Sequence, residues 1–283
     1  MTYGWAILII AVVLGALFQL GVFNAGTFAP RAPPGACQVF RPNGPGSVQF
    51  INLEGVCNGE LPQYVGVFSG SSSSDISIPD SASLKPSSIS VFAWVEYPSP
   101  LPTALLGVVS KGADEHHGFQ LGWDFRTGSY FWAEIGDGTA SFYTCGQQPS
   151  PLPTAGSIHQ IGMTYDGSTM SVYFDGKLAG STCSPNVAIA WSTDPLRIDS
   201  IIGGYFGSWP FIANVQIYNT SLSANEVQAL YLEGIGGAPI RLQNLAGWWP
   251  LNGNANDYSG NNNNGVPNGV TYTNQWSSGY TPP

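Results

Sequence analysis

Two carboxylates on one strand can flank a glycosidic bond, one as acid and one as nucleophile or base, if both project from the same face at a suitable separation. Seventeen acidic residues are spread over the 283 positions, and Glu134-Ile-Gly-Asp137 is the nearest approach to such a pair. Its i,i+3 spacing puts the two on opposite faces of a strand. His116 and His117, beside Asp114 and Glu115 in the stretch Lys111 to Gly118, carry metal-binding atoms. Adjacent residues of one loop seldom converge on one ion, so a solvated hairpin tip is expected there. No Ser/His/Asp or Cys/His constellation is recognisable, and the chain reads as a non-enzyme. Sugar recognition needs an exposed aromatic platform instead. Trp209 and Tyr205, in the glycine-rich stretch Gly203 to Pro210, are the candidates, because such a loop can hold rings away from a core. Packing of Trp209 in the core is the equal alternative.

The charge balance narrows the partners. Only eight Lys and Arg stand against the seventeen acids, for a net charge of −9, and no two basic residues are adjacent. Nucleic-acid binding needs clustered cations, so nucleic acid is excluded as a partner. Four cysteines, Cys37, Cys57, Cys145 and Cys183, show no C-x-x-C spacing that would suggest zinc. Pairing as Cys37–Cys57 and Cys145–Cys183 keeps each bridge local and implies an oxidising compartment; four buried thiols are the competing reading. Asn219-Thr-Ser221 is an acceptor sequon for N-glycosylation.

The elements that must position these residues are strands. Ile161, Met163 and Tyr165 alternate with polar or small residues, Asp166-Gly167 turns the chain, and a second alternating run ends at Asp175-Gly176. This is an antiparallel meander. Ser88 to Tyr97 is apolar on both faces and should be a central strand. Further strands are expected at Tyr64–Phe68, Leu105–Ser110, Phe119–Phe125, Ser129–Ile135, Ala140–Cys145, Arg197–Gly204 and Phe211–Asn219. Ser223-Ala-Asn-Glu226 is a capping box ahead of an apolar stripe at Val227, Leu230 and Tyr231, so one short helix is predicted. Gly and Pro, 36 and 22 residues, suit many short strands joined by tight turns.

The hairpin wording Thr164-Tyr-Asp-Gly167 to Asp175-Gly-Lys-Leu178, the phrase from Ser69 to Leu84 with its Ile78-Pro-Asp80 core, and Ile217 to Tyr231 together resemble the laminin-G-like, concanavalin A-like lectin/glucanase family. The resemblance implies an all-β antiparallel jelly-roll sandwich over 47–240. It also implies carbohydrate as the ligand class and calcium as the usual ion, for which Asp257 with Asn252 and Asn254 is the best donor cluster, a plain Asn/Gly loop being the favoured alternative. An acidic pair usual in the family is replaced by Ala213-Asn214. The phrase at Leu245 to Tyr272 normally opens such a domain, yet here it comes last. Segment 241–283 either completes the same sandwich, which is the favoured reading, or pairs with a neighbouring subunit, or begins a second domain; Trp249 and Leu251 should make one apolar strand face.

Tyr3 to Phe23 is an uncharged run of 21 residues, about 31 Å as a helix, enough to cross a bilayer or line a filament core. It lacks the basic start of a signal peptide. Its wording, MTYGWAILIIAVVLG, resembles the hydrophobic segment of archaeal type IV pilin-like proteins. The short basic leader, processing site and Glu of that family are missing, so the start looks truncated. A Pro/Gly-rich linker, 25–46, should follow the 1–24 helix. The expectation is a cell-surface structural subunit or adhesin of a type IV pilus-like filament, partnered by copies of itself through the helix. A monomeric, membrane-anchored lectin binding surface glycans is the alternative.

Overall fold

Alternation along the chain produces two antiparallel sheets that face each other. The computed structural model describes residues 41–42, 48–49, 61–68, 74–126, 128–139, 142–201 and 209–283. All belong to one compact unit, Phe40–Gln49 with Asn58–Pro283. The expected N-terminal helix, the linker up to residue 40, Cys37, Cys57 and Tyr205 lie outside the described residues. Among the described residues no helix is long and apolar enough to cross a membrane.

The strands in chain order are β1 (Arg41–Pro42), β2 (Val48–Gln49), β3 (Val65–Phe68), β4 (Asp75–Ile78), β5 (Ile89–Glu96), β6 (Leu105–Lys111), β7 (His117–Asp124), β8 (Tyr130–Asp137) and β9 (Phe142–Gln147). The expected meander follows as β10 (Ile158–Tyr165), β11 (Met170–Phe174) and β12 (Lys177–Leu178). Then come β13 (Leu196–Ile198), β14 (Ile212–Tyr218), helix α1 (Ala224–Leu232), β15 (Leu245–Trp249), β16 (Val266–Asn268) and β17 (Val270–Thr273). β1 and β2 pair as a small ladder. One sheet has the order β12-β11-β10-β5-β14-β3-β17, with β15 also on β14. The other runs β16-β4-β13-β6-β7-β8-β9. The result is a jelly-roll sandwich with one α-helix among the described residues.

Aliphatic and aromatic side chains from both inner faces form the main core, including Ile76, Val91, Leu121, Ile135, Met163 and Trp249. β5 is central, as its two apolar faces require: β10 lies on one side of it and β14 on the other. Its inward face joins that core, and its outward Phe92 and Trp94 enter two further apolar clusters. Those clusters lie under α1 and the C-terminal tail. Ser223 caps α1 by accepting from the Glu226 amide, while Glu226 accepts from the Ser223 backbone. Val227 and Leu230 are buried on the helix side facing the sheet. Tyr231 stacks on Trp94 at 5.6 Å, and Tyr280 meets the same indole edge-on at 5.7 Å.

This outer layer corrects the one-faced reading of the tail strand. Trp249 is buried in the core between the sheets, and Trp248 is buried in the second cluster with Tyr218, Leu222 and Tyr258. Both faces of β15 are covered because α1 and the tail roof the sheet. β16 pairs with β4 in one sheet, and β17 pairs with β3 in the other. The expected strand at Arg197–Gly204 is confined to Leu196–Ile198 in the described residues. Cys145 and Cys183 are joined by a disulfide across 38 positions.

Removing Leu245–Pro283 strips partners from β14, β4 and β3 and empties the sites of three buried indoles, Trp248, Trp249 and Trp276. Trp249→Ala should cost about 3–5 kcal/mol, a large share of a domain stability of about 5–15 kcal/mol. The tail deletion should abolish the cooperative thermal transition seen by near-UV circular dichroism. An unchanged melting temperature for either variant would contradict this closure.

Candidate functional site

The polar residues that sequence periodicity leaves over are gathered on the outer face of the seven-stranded sheet. In β7 the core takes Phe119, Leu121 and Trp123, so Gln120 and Gly122 face outward. The same parity in β8 sends Phe131, Ala133 and Ile135 inward and Trp132 and Glu134 outward. Direct cross-strand pairing then lines up Ser77, Arg197, Ser110, Gln120, Glu134 and Thr144, one from each of β4, β13, β6, β7, β8 and β9. At about 4.8 Å per strand this polar row is about 24 Å long.

Glu134 sits within it, buried. It accepts from Gln120 Nε2 at 2.8 Å and from Thr144 Oγ1 at 3.0 Å. Burial pushes its carboxyl up; the two hydrogen bonds and nearby His116 pull it back, and Glu115 adds to the rise. Trp132 is flanked across the strands by Gly122 and Gly146. A Cβ at Gly122 would lie 3.0 Å from the indole, and one at Gly146 3.2 Å from Trp132 Cβ, so the glycines leave room for the ring along the sheet. Its Nε1 donor is buried without a partner.

Two chain segments wall this furrow. The turn before β7 crosses over Gly136, where an added Cβ would lie 2.0 Å from the His116 carbonyl carbon. The stretch expected as a solvated tip is thus partly folded onto the sheet. His116 Nδ1 is buried and unpartnered, while His117 Nδ1 and Asp114 Oδ1 are 2.6 Å apart. Lys111, at the base of the turn, is buried and donates to Asp80 Oδ1 at 2.6 Å and to the Asp194 carbonyl at 2.7 Å. The opposite wall is Ser200-Ile201, whose backbone comes within 2.5 Å of where a Gly107 Cβ would stand. On the β9 side the furrow is open: Phe142, Thr144 and Gly146 are exposed.

At the other end of the row, Asp75 pairs with Arg197 and accepts from Asn268 Nδ2 at 2.8 Å. Asp199 follows β13 in register with Asp75, in the left-handed region at φ 69°. Its carboxyl is buried, and that burial, with Asp75 nearby, holds it well above the usual carboxylate range despite an opposing contact from the Trp209 amide.

The residues expected to bind ligands are distributed otherwise. Trp209 is fully buried, with its Nε1 donating to the Gly107 carbonyl at 2.8 Å and its ring against Trp123 and Phe125. It is a core residue, not a platform, because the sandwich end needs a large ring there. Tyr205 lies outside the described residues. The proposed calcium donors do not converge. Asp257 is fully buried; its Oδ1 accepts from the Trp248 and Ser259 amides at 2.9 Å each, and its Oδ2 from Ser259 Oγ at 2.9 Å and the Asn263 amide at 2.8 Å. Asn252 Oδ1 takes the Tyr64 amide, and Asn254 Oδ1 takes the Asn256 amide. These oxygens are occupied by protein donors, the tail's own amides and hydroxyls together with the Tyr64 amide, and do not fit a cation. Asn214, standing where the family has an acid, is buried and accepts from Trp248 Nε1 and Gln216 Nε2 while donating to the Gly237 carbonyl. Asn219 of the sequon is exposed, with its Oδ1 bonded to Asn244 Nδ2 at 2.9 Å. Trp132, Gln120 and Glu134 escaped the sequence reading as a site. Their signal was the alternation of Gly and polar residues with large apolar ones in β7 and β8.

Because desolvation raises both carboxyls, the folded state favours their protonated forms, and each costs stability as pH rises through its ordinary range and then its raised folded value. Asp199→Asn and Glu134→Gln should therefore gain in melting temperature relative to the parent between pH 4 and 7, with no gain below pH 3. A Glu134→Gln protein less stable at pH 7 than the parent would show that the charge is compensated.

The fold and this face can be set beside known proteins. The model of the concanavalin A-like lectin/glucanases superfamily matches residues 69–228. A native heptameric SAP-like pentraxin from Limulus polyphemus is similar over 75% of this chain and 95% of its own, at 15% identity and a TM-score of 0.50. A protein from Bacteroides ovatus ATCC 8483, provisionally assigned as carbohydrate binding, is similar over 75% of this chain and 59% of its own, at 17% identity and a TM-score of 0.52. No curated protein sequence matches the chain. The likeness to the two structures is one of fold, and the matched model covers more than half of the sequence: the chain belongs to the concanavalin A-like lectin/glucanases superfamily.

Proposed function

We propose that this chain is a non-catalytic adhesin of the cell exterior that binds hydroxyl-rich ligands, glycan chains foremost, along the polar row of the seven-stranded sheet. The observation that carries the reading is the row itself: hydrogen-bonding side chains in direct register, buried at Ser110, Gln120 and Glu134 beside the buried Trp132 ring and reaching the surface on β9 at Thr144 and the exposed Phe142 ring. Sugar recognition uses that combination of fixed polar groups and an aromatic surface. Hydrolysis would need a second carboxyl about 5–9.5 Å from Glu134. Asp199 is three strands away, about 14 Å in sheet spacing alone. Glu115 stands on an exposed turn where, among the described residues, no hydrogen bond fixes it. The disulfide and the similarity to a protein assigned to carbohydrate binding support an exterior, ligand-holding role.

The apolar run Tyr3 to Phe23 supplies the attachment in this reading, packing with other copies as the core of a type IV pilus-like filament. Its uncharged length serves a lipid bilayer as well, which is the membrane-anchored alternative.

On an array of surface polysaccharides and oligosaccharides, the protein should retain a defined subset. Gln120→Ala and Trp132→Ala should weaken that binding at least tenfold, with the far-UV spectrum unchanged. Retention of no glycan, or release of reducing ends from one, would overturn the non-catalytic lectin reading. Immunogold electron microscopy of native cells should decorate ordered filaments; label scattered singly over the membrane would replace the filament by the anchor.

A further inference from the structure

A seven-residue sequence occurs twice in the chain. Pro98-Ser-Pro-Leu-Pro-Thr-Ala104 is repeated without change as Pro149-Ser-Pro-Leu-Pro-Thr-Ala155. The first copy leaves β5 in the eight-stranded sheet and leads to β6 in the other. The second leaves β9 in the seven-stranded sheet and leads to β10. They run between the sheets in opposite senses but meet at one rim, where the Tyr97 amide donates to the Ser157 carbonyl at 2.7 Å and the Gly156 amide to the Tyr97 carbonyl at 2.8 Å.

Shared packing does not account for the identity. Pro98 and Pro149 are buried, and Pro102 and Pro153 are half-buried, so those positions answer to their surroundings. The Ser, the second Pro, the Leu and the Thr of both copies are exposed, Leu101 by 51% and Leu152 by 48%. At exposed positions the fold exerts least choice over residue type. Identity there, in two loops joined to different strands, points to something outside the chain that reads the same peptide twice. None of the four hydroxyls, on Ser99, Thr103, Ser150 and Thr154, takes part in a hydrogen bond among the described residues. Other hydroxyls near loop ends do: Ser157 Oγ donates to the Thr154 carbonyl and Thr139 Oγ1 to Asp137. Both copies bend at the Ser-Pro step, Ser99-Pro100 and Ser150-Pro151, and no charge lies in either copy.

We infer that the two copies are twin O-glycosylation sites, the hydroxyls of Ser99, Thr103, Ser150 and Thr154 being acceptors and the Pro-Leu-Pro between them the part a glycosyltransferase grips. Hydroxyls spaced by prolines in an exposed loop suit that chemistry. The donor is a sugar carried on a nucleotide or lipid diphosphate. The Ser or Thr oxygen bonds to the anomeric carbon as the carbon–oxygen bond to the diphosphate breaks. The diphosphate leaves with the electron pair, and the hydroxyl proton passes to a base of the transferase. Sugars at this rim would stand clear of the polar row, which lies on a sheet face. They would clothe the surface of a chain only 9% of whose residues are charged.

The test is peptide mapping by mass spectrometry, with fragmentation that preserves side-chain adducts, on the full protein purified from its native cells. Peptides spanning each copy should carry mass increments of whole sugar residues, localised to the Ser or Thr of the repeat and at similar occupancy in both. The exposed Ser277 and Ser278, which lack flanking prolines, should be unmodified. Unmodified peptides from both copies, sugar on one copy only, or equal occupancy at Ser277 and Ser278 would each overturn the inference.

Discussion

The carboxylate of Asp257 is buried out of reach of water and held by four protein donors, two to each oxygen. A buried charge without such partners would cost several kcal/mol, so the surrounding chain has little freedom. The Trp248 amide is one donor, which pins β15. The Asn263 amide is another. From there Asn263 spreads the constraint, accepting from Ser81 Oγ, donating to the Ala246 carbonyl and offering its own carbonyl to Trp249 Nε1. An Asn-rich segment with few apolar residues of its own is thereby fixed against the sandwich. Both Trp248 and Trp249 take their places as a result, and with them the core and the outer layer.

The opposite sheet handles polarity in another way. Its outward face has no helix over it among the described residues, yet Ser110, Gln120 and Glu134 are all buried. Glycines at positions 107, 122 and 136 make this possible by letting backbone or a ring settle where a side chain would otherwise stand. The furrow is therefore built as much from missing side chains as from the polar row. Its unpartnered Trp132 and His116 nitrogens are buried donors or acceptors that a ligand could satisfy.

The strands were legible because period-2 alternation and Asp-Gly turns are local signals, and α1 because its capping box is one; the jelly-roll class came from the resemblance in wording. The central place of β5 was also legible, since a strand apolar on both faces has to be covered twice. What escaped was everything that depends on a second layer. Nothing local says that Trp248 lies under a helix, or that Trp209 fills the sandwich end instead of standing in solvent. Asp257 with its Asn neighbours has the composition of a cation loop, and only the three-dimensional path reveals that backbone amides occupy the carboxylate. The candidate site was hidden for the same reason. Its six residues come from six strands, and their alignment is a matter of register, which no single stretch encodes.

The tail donates the last strand to each sheet, β16 beside β4 and β17 beside β3, and the latter pairing joins Val65 to Thr273. Such a contact closes a loop of about two hundred residues. At about 5–20 residues per second, synthesis would run for roughly 10–40 s between the appearance of one partner and the other. During that interval β3 and β4 are open edges, free to pair with the wrong chain. A protein bound for the exterior gains from the same delay, because a chain that cannot close its sheets until its final residues emerge remains threadable through a narrow export channel. Completion of both sheets waits on β16 and β17.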